Sequence, residues 1–192
     1  TVPEETDLRV MAQVYTTHPA VEFAEPNQRF EVQMTPNDPY YSSKGSWGQS
    51  FDDLYGVKLI GSEEAWDVTQ GAGVLVAVVD TGLDRTHPDI AANVWTNAGE
   101  IAGNGVDDDR NGYVDDVHGW DFVSGDANPQ DGHGHGTHVA GTIAAVGNNR
   151  LGVIGVAPKA TILPAKGLSD WGSGDTAGAI RAIDYAVSHD TE

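Results

Sequence analysis

One aspartate and one histidine-rich segment carry the groups of this sequence that are best suited to acid–base chemistry. Asp80 opens an Asp-Thr-Gly triplet directly after the apolar run 74–79. His135 opens the segment 135–142, which reads His-Gly-Thr-His-Val-Ala-Gly-Thr. A histidine works as a general base when a carboxylate fixes its tautomer and stabilises its charged form, and Asp80 can supply that carboxylate. The two segments together predict a catalytic Asp–His pair.

Each segment on its own is also compatible with other interpretations. An aspartate in an Asp-Thr-Gly triplet can simply cap the next segment, and aspartic proteases use two such loops as a dyad, whereas this sequence holds one copy. The spacing of His133, His135 and His138 superficially suits zinc, and hence a zinc hydrolase. A third interpretation is a catalytically inactive fragment that binds calcium or occupies a groove. These alternatives stay open at the level of single motifs.

The segments that must position the pair alternate between strand and helix patterns. Residues 74–79 form a short continuous apolar run, which is typical of a strand buried in a parallel sheet. The pattern predicts a small-residue helix over residues 135–145, a strand over 161–165, and a helix that Asp175 caps and that runs to about Ser188. The apolar positions of this last helix are Ile180, Ile183, Tyr185 and Val187. Such alternation indicates an α/β fold with a parallel sheet, in which sites lie outside the carboxyl ends of the strands.

The chain before the first predicted strand is organised differently. Residues 7–17 have apolar positions at helical spacing, and residues 20–24 alternate like a strand. Residues 29–47 are polar and rich in turn-forming residues, so we expect a linker or processing region there. The acidic, Gly- and Asn-rich stretch 103–116 is predicted to be a long loop.

Composition restricts the partners and the compartment. The 192 residues carry a formal net charge of −19 and contain no Cys. The charge repels phosphate backbones and anionic membrane surfaces, so we expect neither nucleic acid nor a membrane as a partner. The lack of Cys removes disulfides, thiolate metal sites and a Cys nucleophile, which leaves bound ions as candidate cross-links for an exported protein.

Two long motifs, in this order, resemble the signatures of the subtilisin family of serine proteases. Residues 78–84 (Val-Val-Asp-Thr-Gly-Leu-Asp) and 87–89 (His-Pro-Asp) resemble the family's aspartate signature, and residues 135–142 resemble its histidine signature. The stretches most similar to thermitase-type members are residues 35–41 and 119–123. Both signatures in the correct order are far more specific than either one alone.

The resemblance implies a subtilisin-like three-layer fold with a central parallel sheet, incomplete in this chain. It implies a serine endopeptidase in which Asp80 is the triad carboxylate and His135 is the general base, with His138 as a buried structural residue. The family places its serine nucleophile in a Gly-Thr-Ser-Met-Ala motif, and no such motif occurs here. The family's oxyanion asparagine would also lie beyond Glu192, so we expect the chain alone to be inactive.

The resemblance further implies polypeptide substrates and a secreted, extracellular enzyme that is made as a zymogen. Residues 1–30 are interpreted as the C-terminal end of an inhibitory pro-segment, and residues 31–192 as the N-terminal part of the peptidase domain. Residues 19–27 resemble the tail with which the chain's own pro-segment occupies the active-site groove, and cleavage is expected between Asn27 and Thr35. The residues that resemble the substrate-binding edge strand are Gly172, Ser173 and Gly174.

Calcium is the implied cofactor, and three groups of oxygen-bearing residues are its candidate sites. The group that matches the family's tight site is Asp38, Asp89 and Asn149 with the backbone carbonyls of Gly147, Leu151 and Val153. The group that resembles a thermitase-type site is Asp121, Asp126, Asn128 and Gln130, with Ser124 in place of an acidic ligand. The third group is Asp107, Asp109, Asn111, Tyr113 and Asp115.

The third group follows from the spacing of its residues. Asp-x-Asp-x-Asn-Gly is the first half of an EF-hand-like loop, with Gly112 at the turn. His118 stands at the position of the closing Glu, and Asp116 is the candidate substitute. Clustered carboxylates repel one another, which favours ion binding over a merely solvated loop.

Overall fold

The computed structural model of the protein describes residues 7–24 and 34–189. The chain separates into two compact units, Thr1–Val32 and Gln33–Glu192. Within the described residues, no helix is both long enough and apolar enough to cross a membrane.

The first unit contains one helix. Helix α1 spans Leu8–Thr16 and agrees with the predicted helix, and Asp7 caps it by accepting hydrogen bonds from backbone N–H groups of the first turn. The strand predicted over residues 20–24 is wrong, because the backbone turns at Pro19 and then runs irregularly. The described part of this unit contains no other strand, so residues 20–24 have no partner for a β-ladder.

The second unit begins with a compact N-terminal segment. Its short helices are α2 (Pro39–Ser42), α3 (Tyr55–Leu59) and α4 (Ser62–Trp66). Asp38 and Tyr41 are 1% and 4% exposed, and Tyr41 shares a buried cluster with Ile154. The linker prediction is therefore wrong for residues 34–47, because Pro36, Asp38 and Tyr41 are buried within this unit. The rest of that prediction, residues 29–33, lies outside the described residues.

Three parallel strands form the sheet of the second unit. They are β1 (Leu75–Asp80), β2 (Trp120–Asp121) and β3 (Thr161–Lys166), in the order β1-β3-β2. Lys166 is in register with Asp80 on one side and with Asp121 on the other. The first and last strands confirm the predicted ones, whereas β2 is too short to give a detectable pattern. The carboxyl ends of the strands therefore bring three ionisable residues side by side.

Helices cover both faces of the sheet. They are α5 (His135–Ala144) and α6 (Thr176–Ser188), as predicted. Val78 of β1 belongs to the buried cluster that contains Ala140 of α5, while its neighbour Val79 packs against the cluster that contains Tyr185 of α6. Alternate side chains of a strand point to opposite faces, so β1 contacts both helices. The result is a three-layer α/β arrangement with a central parallel sheet.

Helix α6 has the predicted cap but not the predicted buried face. Asp175 accepts a hydrogen bond from the backbone N–H of Gly178 at 2.6 Å. Tyr185 is buried as expected, but three of the predicted apolar positions are exposed: Ile180, Ile183 and Val187. The buried face consists of Gly178, Ala182, Tyr185 and Ala186. Small residues let the helix approach the sheet closely, and they decide its rotation.

Candidate active site and ion-binding residues

The predicted pair of Asp80 and His135 is assembled in the structure. Asp80 ends β1 and is 8% exposed, whereas His135 begins α5 and has a side chain that is 59% exposed. The Nδ1 atom of His135 lies 2.8 Å from Oδ1 and 2.9 Å from Oδ2 of Asp80. A neutral imidazole that donates its Nδ1–H to a carboxylate keeps Nε2 as the basic nitrogen. This arrangement can accept a proton at Nε2.

Two glycines allow the end of β1 and the start of α5 to approach each other. A Cβ on Gly136 would lie 2.2 Å from the carbonyl oxygen of Gly82, so this contact requires glycine. Gly82 has a φ of +113°, and a Cβ there would lie 2.6 Å from the carbonyl oxygen of Pro129. The distance between the aspartate and the histidine therefore depends on backbone contacts that no larger residue permits.

Sequence reasoning missed Asp131, which connects the two segments that carry the predicted Asp–His pair. Its carboxylate accepts hydrogen bonds from Thr81 Oγ1 at 2.9 Å and from Thr137 Oγ1 at 2.6 Å. It also accepts the backbone N–H groups of His133 and Gly134 at 2.9 and 2.8 Å. Burial alone would raise the pKa of Asp131, but these hydrogen bonds outweigh it and hold the pKa well below its usual value. Its position one turn before His135 was the available signal, because carboxylates favour helix N-termini.

Lys166 is a second residue that the sequence did not single out. Its side chain is buried at the end of β3, and Nζ donates hydrogen bonds to the carbonyl oxygen of Thr81 and, at 2.6 Å, to Asp170 Oδ1. The hydrogen bond and the charge of Lys166 hold the pKa of Asp170 below its usual value. A buried ammonium group needs such partners, and here they fix the backbone immediately after Asp80.

Of the other two histidines of the motif, His133 lies near the pair, with its ring centroid 6.3 Å from that of His135 in an edge-to-face arrangement. His138 is exposed and lines a cavity of about 560 Å³, so the expectation of a buried structural histidine is wrong. The buried positions of α5 are Gly136, Ala140, Gly141 and Ala144, which turn His138 away from the sheet. Among the described residues, His133, His135 and His138 do not bring three ligand atoms within 4.8 Å of one another. The zinc interpretation therefore has no geometric support in this part of the chain.

The residues predicted to bind substrate lie in an exposed turn. Gly172, Ser173 and Gly174 are exposed, and the structure does not place them in a strand. The backbone N–H of Ser169 donates to the carbonyl oxygen of Ser173 at 2.8 Å, which closes the turn. The predicted edge strand is thus wrong as secondary structure, since part of the backbone is used within the turn. A role of these residues in substrate binding stays a prediction.

The side chains of the first predicted calcium group come together. Asp38 and Asp89 are 1% and 3% exposed. Asp38 accepts the backbone N–H of Asn148 at 2.9 Å and that of Asn149 at 3.4 Å. Asp89 accepts Nδ2 of Asn149 at 2.7 Å and the backbone N–H of Val153 at 2.9 Å. Within the described ranges, neither carboxylate forms an ion pair.

The four residues of the second predicted group line one cavity. Asp121, Asp126, Asn128 and Gln130 surround a space of about 450 Å³, and Lys166 also lines it. Asp121 is 3% exposed, and its carboxylate accepts backbone N–H groups of the turn that follows β2. Asp170 also lines this cavity and pairs with Lys166, so two carboxylates, those of Asp121 and Asp126, remain without a cationic partner in the described part of the chain.

The acidic loop assembles a different set of carboxylates from the predicted one. Oxygen atoms of Glu100, Asp109 and Asp116 all lie within 4.8 Å of one another. Asp109 was a predicted ligand and Asp116 the candidate substitute for the closing Glu, whereas Asp107 and Asp115 instead accept backbone N–H groups of the loop itself. Of the other two predicted ligands, the side-chain amide of Asn111 donates to Asp109 and Asp116. The ring of Tyr113 packs against Tyr185, and a role of its backbone carbonyl as a ligand stays a prediction.

Neutral groups surround the three carboxylates of the acidic loop. Asn97 Nδ2 donates to Asp109 and to Asp116 at 2.8 Å each, and the Tyr185 hydroxyl donates to Asp116 at 2.7 Å. Burial and the hydrogen bond to Asp116 raise the pKa of Tyr185 well above its usual value. In the described part of the chain, none of the three carboxylates has a cationic partner within ion-pair distance. Glu100 was missed because it precedes the Asp-rich repeat.

The predicted pro-segment can be followed only in part. Residues 7–24 belong to the first compact unit. Residues 25–33, which contain most of the predicted cleavage region, lie outside the described residues. The domain boundary at residue 30 and the cleavage between Asn27 and Thr35 stay predictions.

Comparisons with known proteins agree on one group of enzymes. A family model described as the subtilase family, peptidase S8, matches residues 71–192. Thermitase from Thermoactinomyces vulgaris is 41% identical over 153 residues, which cover 80% of this chain and 44% of thermitase. A thermophilic serine proteinase from Bacillus sp. (strain AK1) is 36% identical over 187 residues, which cover 97% of this chain and 39% of that protein.

A further relative and a solved structure are also similar. Subtilisin-like protease 1 from Plasmodium berghei (strain Anka) is 36% identical over 162 residues, which cover 79% of this chain and 27% of that protein. The crystal structure of a cold adapted subtilisin-like serine proteinase has 32% sequence identity and a TM-score of 0.45, and the match covers 62% of this chain and 34% of that one. The chain therefore spans less than half the length of each of these proteins.

Proposed function

This chain belongs to the subtilase family, and we propose that it supplies the aspartate and the histidine of a subtilisin-type serine endopeptidase. The observation that carries the proposal is the contact of 2.8 Å between His135 Nδ1 and Asp80 Oδ1 at the carboxyl end of β1. The resemblance of residues 78–84 and 135–142 to the family signatures supports the same assignment of roles.

The two residues have separate tasks in the proposed mechanism. Asp80 holds His135 in the Nδ1–H tautomer and stabilises the imidazolium that forms when Nε2 takes a proton. That proton comes from a serine hydroxyl that attacks the scissile carbonyl, and His135 later gives it to the leaving amine. The family's Gly-Thr-Ser-Met-Ala motif does not occur in the 192 residues, so the nucleophile comes from outside them.

The chain by itself is proposed to be inactive. A triad without its nucleophile and its oxyanion donor retains almost none of its rate enhancement. We expect the purified chain neither to hydrolyse casein or peptide anilides nor to be labelled by a serine-directed fluorophosphonate. Specific labelling of a serine within the pure chain would contradict the proposal.

A chimera tests the proposed activity. Residues 34–192 replace the matching segment of thermitase, and the rest of thermitase supplies the serine motif of the family. We expect the chimera to hydrolyse peptide anilides and to be labelled by the fluorophosphonate. The control is the same chimera with Asp80→Asn. A folded control that is as active as the unsubstituted chimera would show that Asp80 is not the triad carboxylate.

Calcium is the proposed ligand of the first group, and the residues fit such an ion. Asp38 and Asp89 are hard oxygen donors of the kind that calcium binds, and they are buried in the described structure without an ion pair. Uncompensated buried carboxylates are costly, so a bound cation would stabilise the fold. Asp38 precedes α2, Asp89 follows β1, and Asn149 follows α5. An ion held by these residues would cross-link three distant segments and would have a structural role.

The acidic loop is the second proposed calcium site. Glu100, Asp109 and Asp116 offer three carboxylates within 4.8 Å of one another, surrounded by neutral donors. The cavity that contains Asp121 fits less well, because Lys166 neutralises Asp170 there and leaves two carboxylates, whereas the loop clusters three. We therefore propose tighter binding in the loop than in that cavity.

Residues 1–30 are proposed to inhibit the mature enzyme, which acts outside the cell on polypeptides that bind along the turn 172–174. The support is the resemblance of residues 19–27 to the end of the family's pro-segment. A synthetic peptide of residues 1–30 is expected to inhibit the active chimera competitively. A peptide of the same composition in scrambled order is the control, and equal inhibition by both would contradict this role.

A further inference from the structure

We propose that Asp131 is a positioning residue that fixes the loop after Asp80 against the first turn of α5, so that Asp80 and His135 meet. This inference rests on the proposed function of that pair. Asp131 acts through two threonines, one beside each member of the pair. Thr81 follows the aspartate, and Thr137 is two residues beyond the histidine.

On the aspartate side, one hydroxyl group makes the connection. Thr81 is 1% exposed, and its Oγ1 donates to Asp131 Oδ1 at 2.9 Å. The same Oγ1 accepts the backbone N–H of Gly136 at 2.9 Å. The backbone N–H of Thr81 donates to Asp80 Oδ1 at 2.7 Å. Thr81 therefore contacts the catalytic carboxylate, the residue after His135 and the Asp131 carboxylate at once.

On the histidine side, the second oxygen of the carboxylate is used. Both the backbone N–H and Oγ1 of Thr137 donate to Asp131 Oδ2, at 2.9 and 2.6 Å. Thr137 Oγ1 also accepts the backbone N–H of Asp84 at 2.9 Å. Because Asp84 lies on the loop that follows Asp80, the hydrogen bonds form a closed circuit between the loop and the helix. Rotation of the helix against the loop would break several of these bonds together.

Helix capping explains only part of this arrangement. The N-cap residue of α5 is Gly134, which has no side chain, and Asp131 replaces it by accepting N–H groups of the first turn. A cap needs only the N–H groups of the helix and has no use for the hydroxyl of Thr81 at the end of β1. The hydrogen bond from Thr81 is therefore the feature that separates positioning from capping.

Nuclear magnetic resonance of the full chain tests the inference through the Nδ1–H proton of His135. We expect this proton to exchange slowly with water while Nδ1 is hydrogen-bonded to Asp80. Thr81→Val removes the hydroxyl, keeps the shape and leaves the capping bonds of Asp131 intact, whereas Thr81→Ser keeps a hydroxyl. Thr142→Val is the matched control, because the Thr142 hydroxyl bonds to a carbonyl within α5. We expect exchange at least about tenfold faster in Thr81→Val, because the hydrogen bonds of Oγ1 to Asp131 and from the Gly136 N–H are both lost, and unchanged exchange in the other two.

The amide spectrum shows whether each variant folds. If Thr81→Val does not fold, Asp131→Asn takes its place, and we expect the same faster exchange because the bridging carboxylate is lost. Unchanged exchange in a folded Thr81→Val or Asp131→Asn chain would overturn the positioning role and leave the Asp80–His135 pair standing. A protected His135 proton that is insensitive to Asp80→Asn would instead overturn the pair, and the positioning role with it.

Discussion

The loop after Asp80 and the first turn of α5 carry the proposed catalytic pair, and together they form the catalytic crossing. This region differs from the acidic loop in how it accommodates negative charge. In the crossing, each carboxylate has its own set of partners: Asp80 faces His135, and Asp131 accepts five hydrogen bonds from four residues. In the acidic loop, three carboxylates have oxygen atoms within 4.8 Å of one another, and their hydrogen-bond donors among the described residues are neutral.

The two regions are therefore stabilised in different ways. Hydrogen bonds and close backbone contacts hold the catalytic crossing together, and no ion is required for its geometry. The acidic loop retains unscreened repulsion among its carboxylates, which a divalent cation would relieve. Changes in the crossing should therefore affect catalysis more than stability, and changes in the loop should have the opposite effect.

The largest expected effect is on turnover. In the active chimera, His135→Ala should lower kcat/KM by about 10⁴-fold or more with little change in the melting temperature, because it removes the general base. His138→Ala is the control on the same helix, since its exposed ring lies outside the pair. Steady-state kinetics and calorimetry provide the comparison. Loss of activity in a well-folded His138→Ala chimera, with His135→Ala active, would mean that the general base was misassigned.

The next largest effect concerns ion removal. Calcium that binds only the folded state stabilises it by about 2.7 kcal/mol at a hundredfold excess over its dissociation constant. Calorimetry of the full chain should therefore give a higher melting temperature in calcium than in EGTA. Magnesium should substitute poorly, because it prefers a tight octahedral shell and sheds water reluctantly. Equal melting temperatures in calcium and EGTA would contradict both proposed calcium sites.

A smaller effect should show that part of the stabilisation by calcium comes from the acidic loop. Asp109→Asn removes one of the three clustered charges and should reduce the calcium-dependent rise in melting temperature. Asp108→Asn is the matched control, because its carboxylate accepts hydrogen bonds from the loop and is not part of the cluster. An equal reduction in both variants would mean that the cluster has no special affinity, and that only the overall charge of the loop matters.

The smallest expected effects are on the pH dependence of folding stability, which should differ between the two regions. The folded pKa of Asp131 is depressed, so its stabilisation is present above the unfolded pKa of about 4 and is lost as pH falls through the lower folded value. The folded pKa of Tyr185 is raised, so its stabilisation is present below about pH 10 and is lost as pH rises above that. The free energy of unfolding, measured with denaturant, should differ less between Asp131→Asn and the unsubstituted chain in acid than at neutral pH. For Tyr185→Phe, the difference from the unsubstituted chain should be smaller in alkali than at neutral pH. The opposite trends would contradict the assigned shifts.

The catalytic crossing could be predicted because its signals are local in sequence. The apolar run before Asp80 and the motif that begins at His135 each specify one element and one end of that element. The bond between Thr81 and Asp131 spans 50 positions, and no periodicity within either segment reveals it.

Helix orientation and the acidic loop were harder to predict. The family resemblance implied a buried His138, and the apolar side chain of Ile180 was expected to face inward, but the small residues of α5 and α6 take the buried faces. In the acidic loop, the EF-hand spacing drew attention to Asp107 and Asp115, although the chain turns so that Glu100 meets Asp109 instead. Loop carboxylates often bind nearby backbone N–H groups, and spacing alone does not distinguish that use from ion binding.

The order of the sheet has a consequence for handling the protein. Among the described residues, β1 pairs with β3 and has no strand on its other side. An unpaired apolar edge strand of this kind can form β-pairing with the same strand of a second molecule and start aggregation. The net charge of −19 opposes such contacts. The isolated chain should therefore remain dispersed at low ionic strength and precipitate more readily as added salt shortens the range of that repulsion.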